Sequence, residues 1–236
     1  MTILVKVEIW SDVVCPWCYI GKRHFEEALA SFAHADEVEI EWKSYELDPG
    51  APREREGAYV DRLASKYGVG KGEAQAMISR VVNAGAEAGI EFRFDISRPG
   101  NTFDAHRLLH LAKKRGVQNE LEDRLFASTF TEGRAIGDVD TLVELAGEAG
   151  LDVDEAREVL VSDAFADDVR ADEQEAAEIG VRGVPFFVFD RKYGVSGAQP
   201  AKAFAEVLQR VWREANPIEV LGVEGAGICD DDSCAI

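Results

Sequence analysis

Ile3-Leu4-Val5-Lys6-Val7-Glu8-Ile9-Trp10 runs into Ser11-Asp12-Val13-Val14-Cys15-Pro16-Trp17-Cys18, and the junction between these two segments decides how the chain is read. Ile3, Val5, Val7 and Ile9 fall on one side with Lys6 and Glu8 opposite, the period of a strand over residues 3–10. Helical spacing takes over from Pro16 to Phe32, carried by Ile20, Phe25, Ala28, Leu29 and Phe32. A C-x-x-C pair at such a junction sets its first sulfur beside unpartnered backbone N–H groups at the positive end of a helix. A thiolate is stabilised there and becomes a nucleophile at neutral pH. Pro16 suits the first helical position, where a missing N–H costs nothing. The spacing sets Cys18 one turn along and deeper, where it can attack a mixed disulfide formed at Cys15. A zinc site would need four ligands, and no second C-x-x-C or H-x₃₋₅-H lies near this pair, so no metal is expected here.

Working outward, Val38, Ile40, Trp42 and Ser44 alternate as a second strand through Leu47, ended by Asp48-Pro49-Gly50-Ala51-Pro52. Residues 57–180 read as helix throughout, punctuated by Gly68, Gly89, Gly116, Gly133 and Gly150 at helix ends, with Asp138 and Asp152 as N-caps. Strand character returns at Val184-Pro185-Phe186-Phe187-Val188-Phe189-Asp190, then at hairpin distance in Tyr193–Gly197, before a helix from Pro200 to Arg213. The pattern is α/β. Residues 1–56 and 181–214 are expected to close one domain around a helical insertion at 57–180, with an acidic tail at 215–236.

The chain has 236 residues, with 45 acidic side chains against 26 basic ones and a formal charge of −19. Such a surface repels phosphate backbones and anionic lipid, so neither nucleic acid nor membrane is expected as a partner. The N-terminus has no basic n-region, apolar h-region or cleavage site, which points to the cytoplasm. There, close cysteine pairs serve redox or metal chemistry more often than structure.

Three separated motifs together resemble one family. Ser11–Gly21 is similar to the active-site turn of DsbA-type thioredoxin-fold oxidoreductases, in particular the FrnE-like branch. Gly183-Val184-Pro185-Phe186-Phe187-Val188 with Gly194–Gln199 resembles that branch's cis-proline loop and hairpin, and Asn101-Thr102 with Ala105-His106-Arg107 resembles its helical-domain signature. The resemblance, over residues 3–213, implies a thioredoxin-like fold with a large helical insertion. It implies a cis Pro185 opposite Cys15, Val184 backbone groups that receive an extended substrate, and Asn101, Thr102 and His106 near the cleft.

Several residues carry two readings. Asp12 is a turn-forming residue bonded to backbone or a proton shuttle for the resolving cysteine. Asn101 and Thr102 equally suit a helix N-cap. His106 and His110, spaced i, i+4, share a helix face without a third metal ligand in view. Trp17, Tyr19 and Phe186 or Phe187 are candidates for an apolar docking surface, but strand alternation sends one of the two phenylalanines into the core. Cys229 and Cys234, outside the family pattern, form a relay to Cys15, a cation site with Asp230, Asp231 and Asp232, or an inert tail pair.

The expected activity is thiol–disulfide exchange on protein disulfides without a cofactor, in the reducing or isomerising direction. Clients would be disulfide-bearing proteins, with a thiol reductant such as glutathione or a thioredoxin system. The rivals are a glutathione-using transferase or isomerase of the kappa-class or 2-hydroxychromene-2-carboxylate isomerase type, which generally has serine where Cys15 stands, and a metal-binding or holdase protein.

Overall fold

The computed structural model describes residues 4–217. The elements are β1 (Val5–Ser11), α1 (Pro16–Ala30), β2 (Val38–Ser44), α2 (Tyr59–Tyr67), α3 (Lys71–Glu87), α4 (Phe103–Arg115), α5 (Gln118–Ala127), α6 (Val139–Glu148), α7 (Val153–Val161), α8 (Ala166–Glu178), β3 (Phe186–Phe189), β4 (Tyr193–Ser196) and α9 (Ala201–Ala215). A π-helical turn, Ser128–Glu132, extends α5. The four strands form one sheet in the order β2-β1-β3-β4. β1 and β2 run parallel through the α1 crossover, while β3 is antiparallel to both β1 and β4.

One face of this sheet buries Val5, Val7, Ile9, Phe187 and Phe189 against Phe25 and Ala28 of α1 and Phe204, Leu208 and Val211 of α9. The other buries Trp10 and Val188 against Ala176 of α8 and Val181. β1 is therefore covered on both sides, which corrects the simple alternation expected for it. Glu8, expected opposite the core side, is buried and paired with Arg191, because α8 closes that face. Phe187 is fully buried while Phe186 is half-buried, as alternation along β3 requires.

The helices follow their local signals. Asp138 caps α6 by accepting from the Thr141 N–H at 2.9 Å, and Asp152 caps α7 by accepting from Asp154 at 3.0 Å and Glu155 at 2.9 Å. Helices α4–α7 share a core that includes Leu108, Leu111, Leu121, Leu125, Leu142 and Leu145, into which Val13 projects from the turn after β1. Side chains join this core to the sheet. The Asp172 carboxylate on α8 accepts from Lys43 at 2.7 Å and the Ser44 N–H at 2.9 Å and also meets His110 on α4 at 3.2 Å, while its carbonyl accepts from the Trp10 indole at 2.9 Å. On the free side of β2, the Gln118 side chain accepts from the Trp42 N–H at 3.0 Å and donates to the Trp42 carbonyl at 2.9 Å. One amide thus acts as an extra strand residue on an edge that would otherwise carry unpaired backbone groups.

Replacing Gln118 with Ala leaves both Trp42 backbone groups without partners in a buried interface. Urea unfolding should show a loss of roughly 2–4 kcal/mol, seen as a lower midpoint at unchanged slope.

Candidate active site

β1 ends at Ser11 inside the protein, and the turn that follows is closed by the Cys15 N–H donating to the Asp12 carbonyl at 2.9 Å. Cys15 is the N-cap of α1, in extended conformation at φ −94° and ψ 110°, and Pro16 occupies the first turn. The Cys18 N–H donates to the Cys15 carbonyl at 3.0 Å, which starts the helix. Both cysteines are free thiols. Both are also buried, Cys15 at 5% exposure and Cys18 at 1%.

The Val184–Pro185 peptide is cis, and the Cys15 thiol donates to the Val184 carbonyl with Sγ 3.6 Å from the oxygen. Gly21 permits this approach of loop and helix. A Cβ at Gly21 would stand 3.0 Å from Pro185 Cγ, tighter than a side chain normally sits. Beside the loop opens a groove of about 440 Å³, lined by Gly183, Val184, Pro185, Phe186 and Ser196, with Arg182 at its rim.

Behind Cys18 lies a dry polar cluster. Burial pushes the Cys18 thiol well up, and its neighbour Cys15 pushes the same way; the Asp12 backbone and the Ser11 hydroxyl act weakly against them. Ser11 Oγ in turn donates to Glu122 Oε1 at 2.8 Å, while Glu122 Oε2 has no partner among the described residues. Burial pushes the Glu122 carboxyl up to about 7, against the pull of Ser11, His106 and Lys22. Asp12 Oδ2 accepts from the Leu47 N–H at 2.8 Å, and Oδ1 stands 3.6 Å from His106 Nε2. Burial opposes charging His106, but Asp12, with Glu122 and Glu46 beyond it, outweighs burial and raises its pKa. Asp12 is thus the turn residue bonded to backbone that one of its readings expects, and its carboxylate also faces a buried histidine.

The remaining expected residues are distributed differently from the surface first drawn for them. Trp17 is exposed at 43% beside the cysteines, and Val184 and Phe186 are half-buried at the groove. Tyr19 is buried and stacked on Phe126 at 4.9 Å, so it belongs to the core and not to a docking surface. Thr102 and His106 are also buried; His106 sits on the inward face of α4, which packs behind the cysteine turn. Asn101 caps the α4 entry by accepting from the Phe103 N–H at 3.0 Å and holds the neighbouring loop by donating to the Pro49 carbonyl at 3.2 Å. His106 and His110 separate in function, the second pairing with Asp172. No cluster of three or more His, Cys, Asp or Glu side chains suited to a metal ion occurs among the described residues. Cys229 and Cys234 lie outside the described residues.

Ser11 and Glu122 were not singled out from sequence, and neither was Tyr59, which packs from α2 against the apolar cluster containing the cysteines. No local signal distinguishes Glu122 from the other acids of an acidic chain. Only its burial against β1 does so.

The comparisons agree with this geometry. The chain is 47% identical to a probable DsbA oxidoreductase from Streptomyces coelicolor, whose crystal structure superposes with a TM-score of 0.85 over 98% of this chain and 99% of that one. It is 32% identical over 186 residues to the uncharacterised protein YwbO of Bacillus subtilis, covering 78% of this chain and 86% of YwbO. The cytosolic disulfide reductase DsbM of Pseudomonas aeruginosa, solved with GSH, shares the fold alone, at 16% identity and a TM-score of 0.62 over 87% of this chain and 99% of DsbM. With a mixed four-stranded sheet, a helical block between β2 and β3, and a match to the DSBA-like thioredoxin domain across residues 6–209, the chain belongs to that oxidoreductase family.

Proposed function

We propose that this protein is a thiol–disulfide oxidoreductase in which Cys15 attacks a client disulfide and Cys18 resolves the mixed disulfide. The observation that carries the reading is the asymmetric environment of the two sulfurs. Cys15 stands at a helix N-terminus against the Val184–Pro185 loop, and Cys18 is sealed behind it, its thiol pushed well up by burial. Similarity to the S. coelicolor oxidoreductase supports the same chemistry.

In the reducing direction the Cys15 thiolate attacks one client sulfur in line and expels the other as a thiolate. Cys18 holds its proton until then, because its buried thiolate is unfavourable. Its proton passes to Ser11 Oγ as the Ser11 proton moves to Glu122, the acid being suited to the transfer near neutral pH. The Cys18 thiolate then attacks Cys15 Sγ, which releases the second client thiol and leaves a Cys15–Cys18 disulfide. Two electrons pass from enzyme to client, and a thiol reductant of the glutathione or thioredoxin kind restores the pair. As proposed, the clients are disulfide-bearing proteins and the chain works in the cytoplasm; a shared fold with a cytosolic disulfide reductase supports this. The tail pair Cys229/Cys234 is proposed as an auxiliary acceptor on sequence spacing alone.

Cys15→Ser should abolish reduction of insulin by dithiothreitol-driven turnover, and Cys18→Ser should accumulate a mixed disulfide at Cys15 detectable by mass spectrometry. Retention of full turnover in Cys15→Ser would refute the assignment.

Glu122→Gln gives a second test. Because Glu122 accepts a proton only when ionised, the wild-type resolving step should accelerate as pH rises through about 7, and the variant should lose that rise with a slowing of about 10²-fold at pH 7.5. Glu122 also binds its proton more tightly in the folded chain than in the unfolded one. Its contribution to stability is therefore present below about 4.5 and lost as pH rises through about 7. The melting temperature of wild type should fall more steeply than that of Glu122→Gln between pH 5 and 7.5.

A further inference from the structure

In-line attack requires open space in front of the nucleophilic sulfur, yet Cys15 is only 5% exposed. Helix α2 contributes to the apolar cluster in which Cys15 is buried. Tyr59, Val60 and Leu63 of that helix pack against the cluster containing Cys15, Cys18, Tyr19 and Phe92. These contacts are shallow: no residue of α2 is fully buried, and its main packing partner is α3. Arg62, one helical position before Leu63, lies over the Tyr59 ring at 5.5 Å, and its Nη2 is shielded from water without a hydrogen-bond partner among the described residues. α3, in contrast, sinks Ala74, Ile78 and Gly85 into the interior.

The segments flanking α2 are built to turn. Gly57 at φ +84° precedes it, and Gly68 at φ +65° caps it, followed by Gly70 at the start of α3. None of the three has any neighbouring atom within 4 Å of where a side chain would begin, and the one side-chain tie at these glycines among the described residues is the Arg62 guanidinium donating to the Gly57 carbonyl. A helix with half-buried apolar contacts on one face and open glycines at both ends belongs to the low-stability end of a fold.

We propose that α2 is a gate that sets which disulfides reach Cys15, with Tyr59 and Leu63 as its selecting residues. With α2 docked, the narrow approach beside Trp17 and the Val184–Pro185 loop admits a low-molecular-weight disulfide. A disulfide carried on polypeptide brings two flanking main chains to each sulfur and reaches Cys15 only when α2 swings away about Gly57 and Gly68–Gly70. This inference rests on the exchange activity proposed above and adds the basis of its client selection. The Tyr59 hydroxyl, pushed up to about 12 by burial and by the adjacent Cys15, stays neutral throughout, so the gate leaves no charge against the sulfur when it closes.

The test isolates the first step in full-length protein carrying Cys18→Ser, Cys229→Ser and Cys234→Ser, so that Cys15 is the one thiol. Single-turnover rates of mixed-disulfide formation are measured with hydroxyethyl disulfide and with insulin, with and without Tyr59→Ala/Leu63→Ala. The ratio of the insulin rate to the small-disulfide rate should rise at least fivefold in the gate variant. A ratio unchanged within twofold would overturn the gate while leaving the exchange chemistry standing; no reaction of Cys15 with either disulfide would instead remove the chemistry itself. Hydrogen exchange of the unmodified protein checks the motion without mutation. Amides of residues 59–67 should exchange at least tenfold faster than those of α1, and equal protection of the two helices would also overturn the gate.

Discussion

β1 is buried on both faces, and this constraint shapes everything at its C-terminal end. Where a strand of a one-sided sheet would emerge into water, Ser11 and Asp12 emerge into protein, covered by α4 and α5 of the helical block. Polar groups delivered into a dry interior must find partners there. Ser11 finds Glu122, and Asp12 finds the Leu47 N–H and His106. The cysteine turn is thus laid against a small set of ionisable side chains contributed by the insertion and not by the sheet.

That arrangement separates the two sulfurs chemically. Cys15 caps a helix and meets the Val184 carbonyl, while Cys18 is enclosed and raised by its burial. Exchange needs a first sulfur that can meet a client and a second that stays protonated until the mixed disulfide forms. In the proposed exchange, the buried Glu122 behind the second sulfur, its carboxyl pushed up to about 7 by burial, takes that sulfur's proton. The helical block therefore does two kinds of work: α4 and α5 furnish the polar groups behind the cysteines, and α2 and α3 pack on the apolar cluster that contains them.

Much of this frame is readable along the chain. The strand before Cys15, the proline after it, the caps at Asp138 and Asp152, and the glycines that end helices are local signals, set by backbone geometry within a few residues. The burial of side chains near the site was less readable. Tyr19 and His106 lie on the inward faces of their helices, and Thr102 is buried at the N-cap of α4, once the helical block packs on the sheet. Glu8 was expected opposite the core side for the same reason in reverse, since the pattern of one strand does not reveal a helix arriving from residues 166–178.

Taken alone, the amino-acid sequence determined the order of strands and helices, the helix-capping position of Cys15, the one-turn spacing to Cys18 and the loop that ends in Pro185. These depend on dihedral preferences and hydrogen bonds between near neighbours. Tertiary structure alone decided that Glu122 reaches Ser11 across 111 positions, that Gln118 completes the edge of β2, and that α2 packs on the apolar cluster containing both cysteines. Those outcomes are differences in solvation, and solvation of a side chain is a property of whatever distant segment comes to rest upon it.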